Sequence, residues 1–257
     1  VTITSAEITA LLSFYLGPFL RIGALMMVVP VFGSAVVPMR VRLILALALT
    51  VVVASNLPPP QADIMGAAGL PVLGQQLLLG IAMGLILEIA FTAINLAGQV
   101  VSMTMGLGFA VTVDPNHGAS STVISQQLHW LALMIFLSFD GHLAIIRALL
   151  DSFHALPVGP LGIGREGLQQ LVMFGGQMFA GAVRVALPAL TALLTVNLAF
   201  GVVSRAVPSL NLFSVGLPIT LMVGLLVLMW TLHGLSSAVV ELSGQAFAGM
   251  AFLASEK

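Results

Sequence analysis

Asp140 and His142 stand one glycine apart inside an apolar run, and their side chains are the pair best suited to acid–base chemistry. An ionisable residue at membrane depth is a functional candidate by default. Gly141 between them, however, weakens a helix by roughly 1 kcal/mol, and no second acid lies at protease-like spacing. The pattern therefore favours a helix break or terminus, with Asp140 and His142 hydrogen-bonded to neighbouring subunits. Gly118-Ala-Ser120 likewise lacks the surroundings of a membrane serine protease. Gly162-Ile-Gly-Arg-Glu-Gly167 matches G-x-G-x-x-G by letter, but Leu156-Pro-Val-Gly-Pro160 before it is no central strand. The phosphate-binding turn needs a strand before it and a helix after it, so this is a glycine-rich connection. His117, His129, His142, His154 and His233 include no pair four apart, and cysteine is absent, so the usual zinc ligand sets are missing. With no catalytic constellation, metal site or cofactor site, the residues point to a non-enzymatic protein.

A second polar group is placed by helical spacing. Glu88, Asn95 and Gln99 follow one another at intervals of seven and four and share a helix face. Facing lipid, a carboxylate at mid-membrane costs on the order of 2.5–3.5 kcal/mol on insertion scales. These residues must face protein or a water-filled path. Gly80-Ile-Ala-Met-Gly84, a short way earlier, permits close helix approach, and Arg184 and Asn197 play the same polar part in a later segment. Contacts between helices and subunits are favoured over a proton relay. The competing reading is a secondary transporter or ion channel using Glu88, Asp140 and Arg184. Such a transporter often carries an internal inverted repeat, and none is apparent.

The stretch from Met103 to Gly118 is of another kind. Gly106 and Gly108 weaken a helix, and Pro115 biases Asp114 away from the helical region, which predicts a loop. Water-facing loops are usually polar, yet this one carries Met103, Met105, Leu107, Phe109, Val111 and Val113. Non-helical backbone at membrane depth survives only where protein buries it or it lines a cavity. Unbranched, polarizable methionines can deform and re-close around different passengers. The stretch reads as a plug or constriction in a membrane-associated channel.

The elements that must position these residues follow from composition. Of 257 residues, 59% are hydrophobic and 7% charged, against roughly 45–50% and 25% in globular chains. An ordinary soluble fold is excluded. The net charge of −1 and a single lysine, Lys257, exclude nucleic acid as a partner. Glu7 and the lack of a basic N-terminal run argue against a cleaved secretory signal. Hydropathy predicts apolar segments at Ile8–Phe32, Val41–Leu57, Leu70–Val101, Leu128–Leu150, Val172–Val203 and Leu212–Val240, several long enough to span a bilayer. Thr4 and Glu7 have capping-box spacing, so the first helix begins near Ser5. Pro18 and Pro30 bend or end it, and Pro188, Gly216 and Pro218 kink the last two segments, which form a hairpin. Ser120 or Ser121 caps the helix after the loop. Arg40, Arg42 and Arg205 fall in polar turns on one side, and Arg165, Lys257 and Arg147 on the other. The positive-inside rule is tied, a sign that not every segment spans.

Across its length the chain resembles the FliR family of type III secretion and flagellar export-gate proteins. The resemblance is carried by Arg21, Pro30, Phe32-Gly33, Pro38-Met-Arg-Val-Arg42, Asn56-Leu-Pro58 and Gly98-Gln99. It continues through Met103-Thr-Met-Gly-Leu-Gly-Phe-Ala110, Val113-Asp-Pro115, Gly141-His142, Leu187-Pro188, Ser204-Arg205, Leu210-Asn211, Gly216 and Pro218. Asp140 departs from it, since the family more usually has Asn before Gly-His. The resemblance implies an all-α, membrane-associated protein of kinked hairpins, FliP-like over residues 1–170 and with a FliQ-like helical hairpin over 171–257. It further implies a core subunit of the export gate in the bacterial inner membrane and flagellar basal body. That subunit would template assembly with FliP, FliQ and FlhB family subunits, contact membrane lipids and close a conduit for unfolded export substrates. The segment from Met103 to Pro115 would project into the pore and shut it.

Overall fold

The computed structural model describes residues 5–34, 37–57, 69–107, 122–159, 162–207 and 212–255. Gly108, Phe109, Val111, Val113, Asp114 and Pro115, together with Ser120 and Ser121, lie outside the described residues. The described residues form eight helices: α1 (Ser5–Val28), α2 (Pro30–Gly33), α3 (Met39–Ala54), α4 (Gly69–Thr104), α5 (Val123–Ser138), α6 (Gly141–Ala155), α7 (Arg165–Ala206) and α8 (Leu212–Ser255). The all-α expectation is met, and α1 is described from Ser5 onward. Pro30 opens α2 at its first turn, where a missing N–H is harmless. Pro18, Pro188 and Pro218 all lie inside continuous helices.

Helices α4, α7 and the stretch Val215–Ser255 of α8 are long and apolar enough to cross a membrane. At 42 and 44 residues, α7 and α8 are about 63 and 66 Å long at 1.5 Å per residue. Hydrocarbon thickness is about 30 Å, so these are not simple spans. The predicted segment Leu128–Leu150 is two helices. Asp140 breaks it, with a left-handed backbone (φ 56°, ψ 28°) and a carbonyl accepting from the N–H groups of Leu143 and Ala144 at 2.9 and 3.0 Å. Its side chain makes no capping bond. Arg40 and Arg42 are corrected from a turn to the first turn of α3, because Pro38 is the residue just before that helix. Arg205 lies in the last turn of α7.

The chain forms two compact units. The first comprises Val1–Ile89, Phe139–Gly176 and Ser243–Lys257. Its core holds Ile22, Leu25, Leu79, Met83, Ile86, Ile145 and Phe153. Here α1 packs on α3, and Gly80 and Gly84 bring α4 against α1. A Cβ at Gly80 would lie 2.8 Å from that of Ala24, and one at Gly84 2.7 Å from that of Val28. The second unit comprises Ala90–Ser138 and Gln177–Leu242. Phe91 meets Phe136 edge-on at 5.3 Å, and Gly98 admits Ser125, whose Cα lies 2.6 Å from where a Cβ would be. Gly181 faces Leu242 and Arg184 pairs with Glu241, so α7 and α8 run antiparallel as the predicted hairpin.

Candidate conduit loop and its anchorage

The end of α4 is closed by a built turn at Gly106 and Leu107. Gly106 has φ 84°, and the Leu107 N–H donates to the Ser102 carbonyl at 3.1 Å and the Gly106 N–H to that of Met103 at 3.0 Å. These are the two bonds of a Schellman ending, which satisfies carbonyls the helix would otherwise orphan. Only a residue without Cβ takes that left-handed position at no steric cost. Asn197 on α7 donates its amide to the Thr104 carbonyl at 3.4 Å. Met105 is fully buried, filling the space that Gly224 leaves on α8. A Cβ at Gly224 would lie 2.6 Å from Met105 Cγ and 2.7 Å from Sδ. Gly106 abuts Leu217, also on α8, where a Cβ would sit 3.6 Å from Cγ.

The structure separates two residues that the sequence treats alike. Met103 is 67% exposed and Met105 0%, so Met105 is an internal anchor and not part of a pore lining. Two positions apart on the last turn of a helix, they point to different sides. Leu107 is half-buried and is the last described residue of this stretch. On the return side α5 is capped by Thr122, whose hydroxyl faces the Ser125 N–H at 3.4 Å and whose carbonyl accepts from Gln126 at 3.0 Å. Ser125 then packs on Gly98, about 12 Å back along α4 from Gly106 at 1.5 Å per residue. The end of α4 is therefore held by α7 and α8, and the start of α5 by α4.

The remaining predicted polar residues are distributed. Glu88 and Gln99 are half-buried and each has an interaction partner. Asn95 is half-buried, with its Oδ1 buried and lacking a hydrogen bond among the described residues. Arg184 and Glu241 form an ion pair, with side chains 65% and 51% exposed in this chain. Asp140 is exposed, and His142 is half-buried with a buried Nδ1 that bonds to nothing described. Arg40 and Arg205 are exposed, whereas Arg42 donates to the Ser34 carbonyl and ties the preceding connection to α3. With Arg184 neutralised by Glu241 and Asp140 at an exposed helix break, two of the three residues of the transporter reading have other roles. Among the described residues no group of His, Asp or Glu could hold a metal ion.

Residue-by-residue reasoning missed Arg21, which is fully buried in the first unit. Its Nε donates to Gln76 Oε1 at 2.9 Å, Nη1 to the carbonyl and hydroxyl of Ser152 at 3.0 and 3.2 Å, and Nη2 to the Leu156 carbonyl at 2.8 Å. The guanidinium lies over the Phe153 ring at 4.1 Å. Its acceptors are neutral. Two are carbonyls at the C-terminus of α6, where the helix dipole is negative and a cation is favoured. Arg21 is thus the cap of α6, supplied by α1.

The family model described as bacterial export proteins, family 1, matches residues 12–246. The chain is similar to the flagellar biosynthetic protein FliR of Pectobacterium carotovorum subsp. carotovorum, 40% identical over 228 residues, which are 89% of this chain and 87% of that protein. It is 38% identical over 223 residues to the protein of that name from Escherichia coli (strain K12), covering 87% and 85%. With that of Aquifex aeolicus (strain VF5) the identity is 34% over 234 residues, or 90% and 88%.

Proposed function

We propose that this chain, which belongs to the bacterial export proteins, family 1, the family of the flagellar biosynthetic protein FliR, is a core subunit of the flagellar protein export gate. In this reading it lies in the inner membrane, forms part of the conduit for unfolded export substrates and closes it with the loop after Gly106. The observation that carries the closure is the anchored departure of an apolar loop. A Schellman ending at Gly106, the buried Met105 and the Asn197 contact hold its first residues. Apolar side chains gate a narrow passage by dewetting, without charge.

The uncovered apolar face of α7 supports assembly with other subunits. Val172, Phe179, Val183, Leu187, Leu194, Leu198 and Val202 are all exposed large side chains. They run over about 45 Å at 1.5 Å per residue, beyond the roughly 30 Å that hydrocarbon covers. Similarly apolar protein, of the FliP, FliQ and FlhB families, accounts for the rest. The FliP-like reading of residues 1–170 and the FliQ-like reading of the hairpin belong to the same proposal. Deleting Gly106–Val113 in the assembled complex should let small ions and solutes leak across the membrane, read as conductance, at unchanged complex yield. Unchanged conductance in a verified complex would reduce the loop to a packing element.

A further inference from the structure

We propose that the groove between α6 and the last turns of α8 seats one phosphatidylethanolamine, its phosphate on Arg147 and its ammonium on Asp151. Both walls lie in the first unit. Ala144 and Ala148 on α6, with Phe247, Ala251 and Ala254 on α8, bound an open cavity of about 370 Å³. Ligand pockets run to about 300–1,000 Å³, so a lipid headgroup with the start of its chains fits. Arg147 and Asp151 line the same cavity. Both are exposed, and among the described residues neither side chain forms an ion pair or hydrogen bond. At a spacing of four, acid before base is the more stabilising order. Here the base comes first, so the two charges gain little from each other and stay available to a ligand carrying both signs.

The order of groups along α6 selects the ligand. Leu143, Arg147 and Asp151 stand four apart, all exposed, on one helix face, with about 6 Å of rise per step. The stripe reads apolar, cationic, anionic. Phosphatidylethanolamine offers the complement in the same order: acyl chain, phosphate, then an ammonium on a short ethylene link. A guanidinium matches phosphate oxygens in fork geometry, and the primary ammonium has N–H groups to donate to a carboxylate. Phosphatidylglycerol brings no cation to Asp151, and the quaternary nitrogen of phosphatidylcholine has no N–H to donate. The depth agrees. At about 66 Å, α8 is roughly twice as long as hydrocarbon is thick, and Glu241, Ser243 and Gln245 make the half that walls the groove its more polar one. The groove thus falls at headgroup level, where both charges stay hydrated.

The solubilised complex, supplied with equal amounts of the three phospholipids, can be weighed intact with its bound lipids by native mass spectrometry. Ala251→Leu fills the groove from an exposed position, so the lipid that this variant sheds is the groove's own. That lipid should be phosphatidylethanolamine, several-fold over the other two. Arg147→Gln should lower its retention several-fold, and Asp151→Asn should erase the preference over phosphatidylglycerol. The swapped pair Arg147→Asp with Asp151→Arg keeps the net charge and reverses the order, and should lose the lipid as Arg147→Gln does. Equal retention of all three phospholipids by the parent, or full retention by the swapped pair, overturns the proposal. So does shedding of a protein subunit in place of a lipid by Ala251→Leu, which makes the groove a protein interface. If Ala251→Leu fails to assemble, the parent and the swapped pair decide, because neither exchanged side chain has a partner among the described residues.

Discussion

Replacing Arg21 should unseat the first unit, and the size of the effect can be worked from its contacts. Arg21→Ala removes four donated bonds to neutral acceptors and a ring contact at 4.1 Å. Two acceptors keep a partner, since the Ser152 carbonyl still receives the Leu156 N–H and the Ser152 hydroxyl still donates to Leu149. Gln76 Oε1 and the Leu156 carbonyl are left without the donors that Arg21 supplied. Each buried orphan costs about 1–3 kcal/mol, and the lost cation–π contact adds about 1–2 kcal/mol where desolvated. The sum is on the order of 3–8 kcal/mol. Arg21→Met restores most of the volume but neither donor, and Arg21→Lys supplies one point donor in place of a fork. Resistance of the detergent-solubilised complex to heat, read as the temperature at which subunits are lost, should rank Arg above Lys, Lys above Met and Met above Ala. Buried charges can often be replaced by well-packed apolar side chains without loss. A methionine variant as resistant as the parent would therefore refute the capping argument.

Asp140→Asn should be neutral or slightly stabilising, because Asn tolerates the left-handed backbone and the Asp140 side chain makes no cap. Asp140→Val should cost about 1–2 kcal/mol, measured as increased protease cleavage between α5 and α6; equal cleavage of the two variants would contradict the strain assignment. Charge reversal of Arg184 or Glu241 singly should lower complex yield, and the swapped pair Arg184→Glu with Glu241→Arg should recover it. Exposed pairs are worth only about 0–1 kcal/mol, so a large effect in the complex with a small one in the isolated chain is the expected signature of a covered surface. Equal effects in both would mean that partners do not cover it.

Much of the fold was legible because apolar runs and punctuation agree. Pro30 as a boundary, Gly80 and Gly84 as a close approach and Asp140-Gly141 as a break all have local physical causes. Hydropathy misplaced the ends of α7 and α8, which continue through Arg165-Glu166 and through Ser243-Gly-Gln245. It reads compatibility with lipid, whereas the helix persists wherever backbone bonds can form. The anchoring of the loop was legible only in part. Gly106 announced a turn, but nothing local told Met105 from Met103, because burial of Met105 depends on Gly224, 119 positions later. Arg21 escaped residue-by-residue reading for the same reason. Its acceptors lie 55, 131 and 135 positions away, and two are backbone carbonyls that carry no residue signature.

That separation also orders the making of the protein. Arg21 leaves the ribosome well before the carbonyl of Leu156 that it caps, 135 residues later. At about 5–20 residues per second the interval is roughly 7–27 s. For all of that time the guanidinium must keep water or lipid headgroups about it, since a lone charge is not left dry. The Arg21 contacts close only when Leu156 has been made, about three-fifths of the way along the chain, and the first unit still waits for Ser243–Lys257 after that.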